Sequence, residues 1–421
     1  MKKDNLFQTI NNEWNRFHSK SKVNNFRKEI KLHSPTFGPE EITGFAEQMI
    51  STNVTMGTKV SEFEMKFSKM FNFKHSITSN SGSSANLLMV AALRNRNTKN
   101  HLKVNDEVII PALTWSTSLF PLIQYGLTPV FVDCDLDTLN MDINQIESAI
   151  GPKTRGLFIT HVYGNPCNMN EIISLCKRNN LILFEDSCES MGAYYNNIPV
   201  GSFGIASSFS LYFSHHITCM EGGITVTKNK NLSETMRIIR SHGWIRNCEN
   251  KKKWVDLYKN FNPKFLFVNE GYNLRITEPQ AIMASLQLKK LKYFVRKRRK
   301  VSKYFRKKLS KFEGIFKFQK EEENAFHSWF GFPLTILNKK IDRDKICKFL
   351  NKNGIETRPV VSGNLYKQPA VKHVAKRVYG KLENANFVME NSFSLGCHQD
   401  VKNEEIDYVS DLIEDYLRKN L

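Results

Sequence analysis

The chain has 421 residues, room for two or three domains around at least one large core. Hydrophobic residues make up 41% and charged residues 24%, a balance that excludes a disordered chain. Lys plus Arg outnumber Asp plus Glu by 61 to 41, and the formal net charge of +20 favours polyanionic partners such as nucleic acid, acidic membrane surfaces or nucleotide-like substrates, although surface lysines also serve simply as solvating groups.

Residues 1–36 read as a helical N-terminal arm. Its charges come early and it has no apolar h-region, so no signal peptide is expected. No stretch approaches the roughly 18 consecutive apolar residues of a membrane span. The eight cysteines are scattered without a CxC or CxxC pair. That pattern suits reduced thiols in a cytoplasm and is poor material for zinc or iron–sulfur binding. The expectation is a cytoplasmic chain with no membrane partner.

From Pro39 to Thr227 helical and strand patterns alternate. Glu40 to Ile50, Lys59 to Met70 and Ser83 to Leu93 carry helical spacing of apolar residues. Short β-branched runs follow at Val108–Ile110, Val130–Val132, Leu157–Ile159, Ile182–Phe184 and Ile224–Val226, with helices at Ile143–Ala149 and Asn170–Arg178 between some of them. Such alternation predicts a large α/β domain over residues 37–277, with a mostly parallel sheet and sites at the strand ends. There is no GxGxxG and no Walker A loop, so the common dinucleotide and P-loop readings lose their support. After Gly271 the pattern changes. Glu278 to Lys311 reads as a long basic helix whose run Arg296-Lys297-Arg298-Arg299-Lys300 is expected to be a solvated face rather than a nucleic-acid surface. Residues 278–421 are then this linking helix and a smaller C-terminal α+β domain.

Chemistry concentrates where basic residues vanish. Asn179 to Thr227, forty-nine residues, contain neither Lys nor Arg but do contain Glu185, Asp186, Glu189, His215, His216 and Glu221. Asp186 ends an apolar strand, where a carboxylate is costly unless paired. Gly82-Ser83-Ser84 opens a helix straight after a Ser/Asn turn. Helix-start N–H groups suit a phosphate there, although such a turn is also an ordinary N-cap. Trp115 follows a strand, where a lone Trp is more often a core residue.

Three segments in order carry a resemblance: Phe184-Glu185-Asp186, then Ser210 to Gly223 (SLYFSHHITCMEGG), then Gly271-Tyr272-Asn273-Leu274-Arg275. They resemble the DegT/DnrJ/EryC1/StrS family of pyridoxal-phosphate (PLP) sugar aminotransferases, and the likeness runs from about Phe37 to the C-terminus. The resemblance implies the PLP-dependent transferase fold type I, an α/β fold with a mixed, mostly parallel central sheet. It assigns Gly82, Ser83, Ser84 and Ser210 to the cofactor phosphate, Trp115 to stacking on the pyridine ring, and Asp186 to the protonated pyridine nitrogen. Asn273 would reach the phosphate of a neighbouring subunit, implying a homodimer. Glu189 would orient the cofactor's phenolic oxygen or the imine. His242, Arg275, Arg358 and Asn364 are the expected substrate contacts.

One departure decides the reaction class. Family aminotransferases carry the Schiff-base lysine six residues before the acid of the (E/D)GG turn, and counting back from Glu221-Gly222-Gly223 that position is His215. Imidazole cannot form that link. The same swap, together with Glu185-Asp186-Ser187-Cys188-Glu189, resembles the sugar 3-dehydratases that use pyridoxamine phosphate (PMP). There His215 would be the catalytic base and acid, with an unperturbed pKa near ~6.5 suited to both tasks. Ser241-His242-Gly243-Trp244 and Gly354 to Pro359 resemble the branch acting on a GDP-linked 4-keto-6-deoxy sugar; a CDP-linked sugar is the alternative. The cysteine-rich motif of the iron–sulfur branch is missing, so no cluster is expected, and L-glutamate would regenerate PMP. Two other readings stay open at this point: an aminotransferase that recruits another lysine such as Lys228, and a non-catalytic binding protein of the same fold.

Overall fold

The computed structural model describes residues 3–22 and 29–421. A helix spans Lys3–Lys22, while residues 1, 2 and 23–28 of the expected N-terminal arm lie outside the described residues. In the first part of the chain the strands are β1 (His75–Ser79), β2 (Glu107–Pro111), β3 (Thr128–Val132), β4 (Thr154–Thr160), β5 (Ile182–Asp186), the two-residue β6 (Tyr194–Tyr195) and β7 (Ile198–Pro199), β8 (Ala206–Ser210) and β9 (Gly223–Thr227). Then follow β10 (Phe316–Phe318), β11 (Ala325–Phe326), β12 (Gly331–Ile336), β13 (Thr357–Pro359), β14 (Arg377–Val378) and β15 (Ser392–Gly396).

The central sheet runs β1-β9-β8-β5-β4-β2-β3-β14. All its strands are parallel except β9, which is antiparallel to both neighbours. Parallel strands share one C-terminal edge, and there the ends of β1, β5 and β8 meet the start of β9. Strand centres are apolar and fully buried, as at Val108, Ile110, Phe158 and Phe184, because helices cover both faces of such a sheet.

Two strands of the central sheet are rich in serine, unlike the others. β1 reads HSITS and β8 reads ASSFS. Every residue of β8 is buried, so its serines are held by hydrogen bonds rather than by apolar packing: Ser207 Oγ lies 2.9 Å from Ser187 Oγ, and Ser208 Oγ donates to Asn86 Oδ1 at 2.5 Å.

The helix Glu278–Leu309 has 32 residues and is therefore ~48 Å long. Thr277 and Gln280 form its capping box, and buried Glu278 accepts from the N–H groups of Gly57, Lys59 and Val60, capping the helix Thr58–Phe71 in turn. Its first half packs Ala281, Leu288 and Leu291 into the core of the large domain. Its second half packs Val301, Phe305 and Leu309 into a second core under the antiparallel sheet β10-β12-β15-β13. The basic run is not wholly a solvated face, which corrects the sequence reading. Arg298 is 1% exposed and donates to the carbonyls of Trp329, Phe330 and Cys397. Position 298 falls on the apolar stripe between Val295 and Val301, so helical periodicity turns it inward. Among the described residues no helix is long and apolar enough to cross a membrane.

Candidate active site

A cavity of about 440 Å³ opens at the shared C-terminal edge of β1, β5 and β8. One wall is the start of the helix Gly82–Arg94. Ser81 caps it, accepting from Ser84 N at 3.0 Å, so the first-turn N–H groups of Gly82 and Ser83 face outward without intrahelical acceptors. Ser210, at the end of β8, sits against this turn. A β-carbon on Gly82 would lie 2.7 Å from Ser210 Cβ, and one on Gly223 would lie 2.1 Å from Ser81 O. Both glycines are therefore required by close approach. The product is a cradle of N–H groups, hydroxyls and a helix N-terminus, which suits a phosphate.

Asp186 ends β5 and is 4% exposed. Its three donors are all neutral: Asn86 Nδ2 at 2.9 Å, Ser118 Oγ at 2.6 Å and the Cys188 N–H at 3.0 Å. Because Ser118 spends its proton on Asp186, Thr114 must donate to Ser118 and Thr160 to Thr114, at 3.0 and 2.8 Å. The relay locks the carboxylate in place and leaves its charge without a cation. Strand alternation puts the neighbouring Glu185 on the other face, where it accepts from Gly201, Phe203 and Gly204 N–H and from His161 Nε2. Glu185 is thus a structural acid. Trp115 lines the cavity with 48% of its surface exposed, so it is not a core residue.

His215 stands on the opposite wall, with its ring 4.8 Å from that of Phe330 at an interplanar angle of 27°. Its Nδ1 is buried without a hydrogen-bond partner. Burial lowers its pKa to about 3, helped by the Arg298 and Arg358 charges, with a Cys188 backbone hydrogen bond working the other way. The unperturbed value of the sequence reading is corrected accordingly: the imidazole is neutral at pH 7. His216 points away and hydrogen-bonds Ser328 O at 3.1 Å. Glu189 lines the cavity too, accepting from Tyr163 N at 2.9 Å, and burial pushes its pKa up to about 7.

The structure brings together Gly82, Ser83, Trp115, Asp186, Glu189, Ser210, His215 and Arg358 at one cavity. Ser84 stays one step behind, bonded to Ser81. Asn273, His242 and Arg275 lie outside it, on a paired loop in which His242 N donates to Tyr272 O and Arg275 Nε donates to Asn273 Oδ1. Asn364 is buried and caps the turn Leu365–Lys367, bonded to Asn386. Sequence reasoning missed Asn86, Ser118 and Phe330. Asn86 was findable, since it lies four residues after Gly82 on the same helix face. Phe330 was not, because no local pattern ties it to His215.

These residues fit a pyridine cofactor bearing a phosphate. Asp186 supplies the uncompensated buried charge, the Gly82 turn the anion cradle, and Trp115 an open ring face. Such a cradle, carboxylate and aromatic on this sheet define a PLP-dependent transferase of fold type I. The sequence profile of the DegT/DnrJ/EryC1/StrS aminotransferase family matches residues 35–414, and the chain belongs to that family. The chain is 39% identical to GDP-4-keto-6-deoxy-D-mannose 3-dehydratase of Escherichia coli O55:H7 over 91% of its own length and 99% of the relative. A crystal structure of GDP-4-keto-6-deoxymannose-3-dehydratase with a trapped PLP–glutamate geminal diamine matches with a TM-score of 0.84 and 36% identity, covering 91% of this chain and 99% of that one. A mutant of the same enzyme with bound GDP-perosamine matches with a TM-score of 0.86 and 38% identity, covering 91% and 100%.

Proposed function

We propose that this chain is a PLP/PMP-dependent 3-dehydratase that removes the C3 oxygen of a GDP-linked 4-keto-6-deoxy sugar and leaves a 4-keto-3,6-dideoxy sugar. The observation that carries this reading is His215, on the cavity wall with a buried, unpartnered Nδ1, at the position where family aminotransferases carry lysine. The relatives' names and bound ligands support GDP as the nucleotide and glutamate as the amino donor.

When bound, the cofactor supplies an amine and an electron sink that together let a C–O bond beside a carbonyl break. The Gly82 and Ser83 N–H groups and the Ser83 and Ser210 hydroxyls hold its phosphate, with Ser84 fixing the cap. Asp186 holds the protonated ring nitrogen, and Trp115 covers the ring face. His215 is neutral and can accept a proton at the cofactor's 4′ carbon, then return it to the departing C3 oxygen. Its low pKa makes it a poor resting acid, so the proton it takes up is readily surrendered. Arg358, in the same cavity, binds the anionic part of the substrate. Glu189, whose pKa burial pushes up to about 7, orients polar groups on the cofactor side. Per turnover one oxygen leaves C3, one glutamate is oxidised to 2-oxoglutarate and one ammonia is released.

A homodimer completes the reading. Asn273 is exposed and outside its own chain's cavity, which supports a role at the partner's phosphate. The free, scattered cysteines support a cytoplasmic setting. The test is incubation with GDP-4-keto-6-deoxymannose, PLP and glutamate. A sugar one oxygen lighter, formed with equimolar 2-oxoglutarate, is expected. A 4-amino sugar that keeps its C3 oxygen would overturn the assignment.

A further inference from the structure

A second cavity, of about 600 Å³, lies along the far side of the helix Glu278–Leu309. Arg296, Arg299, Lys300, Lys303, Arg306 and Lys320 line it. The first five recur at helical spacing, so one face carries them over three turns, a row ~15 Å long. Among the described residues, only Arg299 of the six has a carboxylate within ion-pair distance, Glu321 at 2.6 Å. Two of the guanidinium groups are already fixed: Arg299 also donates to His327 O at 2.8 Å, and Arg306 donates to Gln319 O at 2.6 Å. Packing like charges this closely is unfavourable unless an anion joins them. A concave row with preorganised guanidinium forks suits linked phosphates.

The groove also touches the catalytic wall. Trp329 lines it, with a left-handed backbone (φ +54°) that is strained for a bulky residue. Its neighbour Phe330 stacks on His215, and Arg298 holds the carbonyls of both residues. We propose that this groove binds a soluble small molecule carrying two or more linked phosphates, and that occupancy acts on His215 through the Trp329–Phe330 step.

The test uses the full chain loaded with PLP, so that the phosphate cradle is filled, and inorganic tripolyphosphate as the probe. Calorimetry should show one site per chain, weakened by added salt. Lys300→Glu/Lys303→Glu should weaken it by roughly tenfold or more and leave basal turnover unchanged, whereas the exposed Lys372→Glu should bind as wild type. Tripolyphosphate should change kcat at saturating substrate in wild type and not in the double variant. No binding at millimolar probe, equal binding by the double variant, or attachment only to phosphatidylglycerol vesicles would overturn the site. A purely competitive rise in KM would overturn the coupling.

Discussion

The His215 imidazole lies over the Phe330 ring at 4.8 Å between centroids. Phe330 is itself tied down from both ends: its N–H donates to Tyr163 O at 2.7 Å and its carbonyl accepts from Arg298 at 3.0 Å. Tyr163 in turn donates its N–H to Glu189. Glu189 and His215 are thus held by one continuous run of backbone bonds and ring packing. That run fixes the position of the His215 ring on the cavity wall, where the proposed proton transfers would take place.

His215→Asn should abolish deoxygenation while PLP still binds. The residue makes none of the phosphate or ring-nitrogen contacts, and loss of an acid–base group costs ~10²–10⁴-fold in rate. Steady-state turnover and a PLP absorbance titration check the two halves separately. His216→Asn should behave differently: its ring is buried against Ser328 O, so the loss should appear mainly in thermal stability, ~1–3 kcal/mol, with turnover much closer to wild type.

Stability of the cofactor-free chain should respond to pH in two opposed ways. The His215 pKa falls from 6.5 to about 3 on folding, so its contribution is present above about pH 6.5 and is lost as pH falls towards 3. The Glu189 pKa rises from 4.5 to about 7, so its contribution is present below about pH 4.5 and is lost as pH rises through 7. Each group changes stability by at most ~1.4 kcal/mol per pH unit. Denaturant unfolding from about pH 5 to about pH 8 should show Glu189→Gln gaining on wild type as pH rises, and His215→Asn gaining on wild type as pH falls.

Gly82→Ala should damage the cofactor cradle selectively. The new methyl would meet Ser210 Cβ at 2.7 Å and Oγ at 2.9 Å. Overpacking of this kind costs ~1–3 kcal/mol, and the displaced turn should weaken PLP binding by roughly tenfold, about 1.4 kcal/mol. Gly38→Ala, whose β-carbon would meet nothing within 4 Å, is the control and should leave PLP affinity unchanged. Fluorescence titration of PLP checks both.

The proposed homodimer with shared active sites predicts complementation. Co-expressed His215→Asn and Asn273→Ala chains, each nearly inactive alone, should form mixed dimers in which one of the two sites has both residues intact. Activity should recover to about a quarter of the wild-type value under random pairing of equal chains. Recovery of nothing would place Asn273 in its own chain's site, and an Asn273→Ala chain that is fully active alone would place it in none.

Most of the frame was legible because periodic apolar residues mark buried elements: the helix Ile143–Ala149 and the strands β2 to β5 and β9 fall where their patterns put them. β8 was not, since serines carry no hydrophobic signal and its burial depends on partners such as Asn86 and Ser187 from distant segments. Asp186 and His215 were legible through motif and spacing, because each is fixed by its own strand or turn. The surroundings that set their chemistry were not. Phe330 and Arg298 come from the second half of the chain, and only tertiary packing brings them towards the site; Arg358 was expected there as a substrate contact, but not its effect on His215, whose low pKa follows from that packing.

The most direct test of the central claim is intact-mass analysis of His215→Lys after incubation with PLP and borohydride, run beside wild type. The family's own lysine position should accept the new side chain. The variant should therefore gain the mass of one reduced cofactor per chain and lose dehydratase activity, with at least a trace of a 4-amino sugar that keeps its C3 oxygen, while wild type should gain no covalent cofactor. A variant that dehydrates at the wild-type rate and forms no adduct would show that His215 does not stand where the cofactor's reactive carbon comes to rest, and would contradict the account.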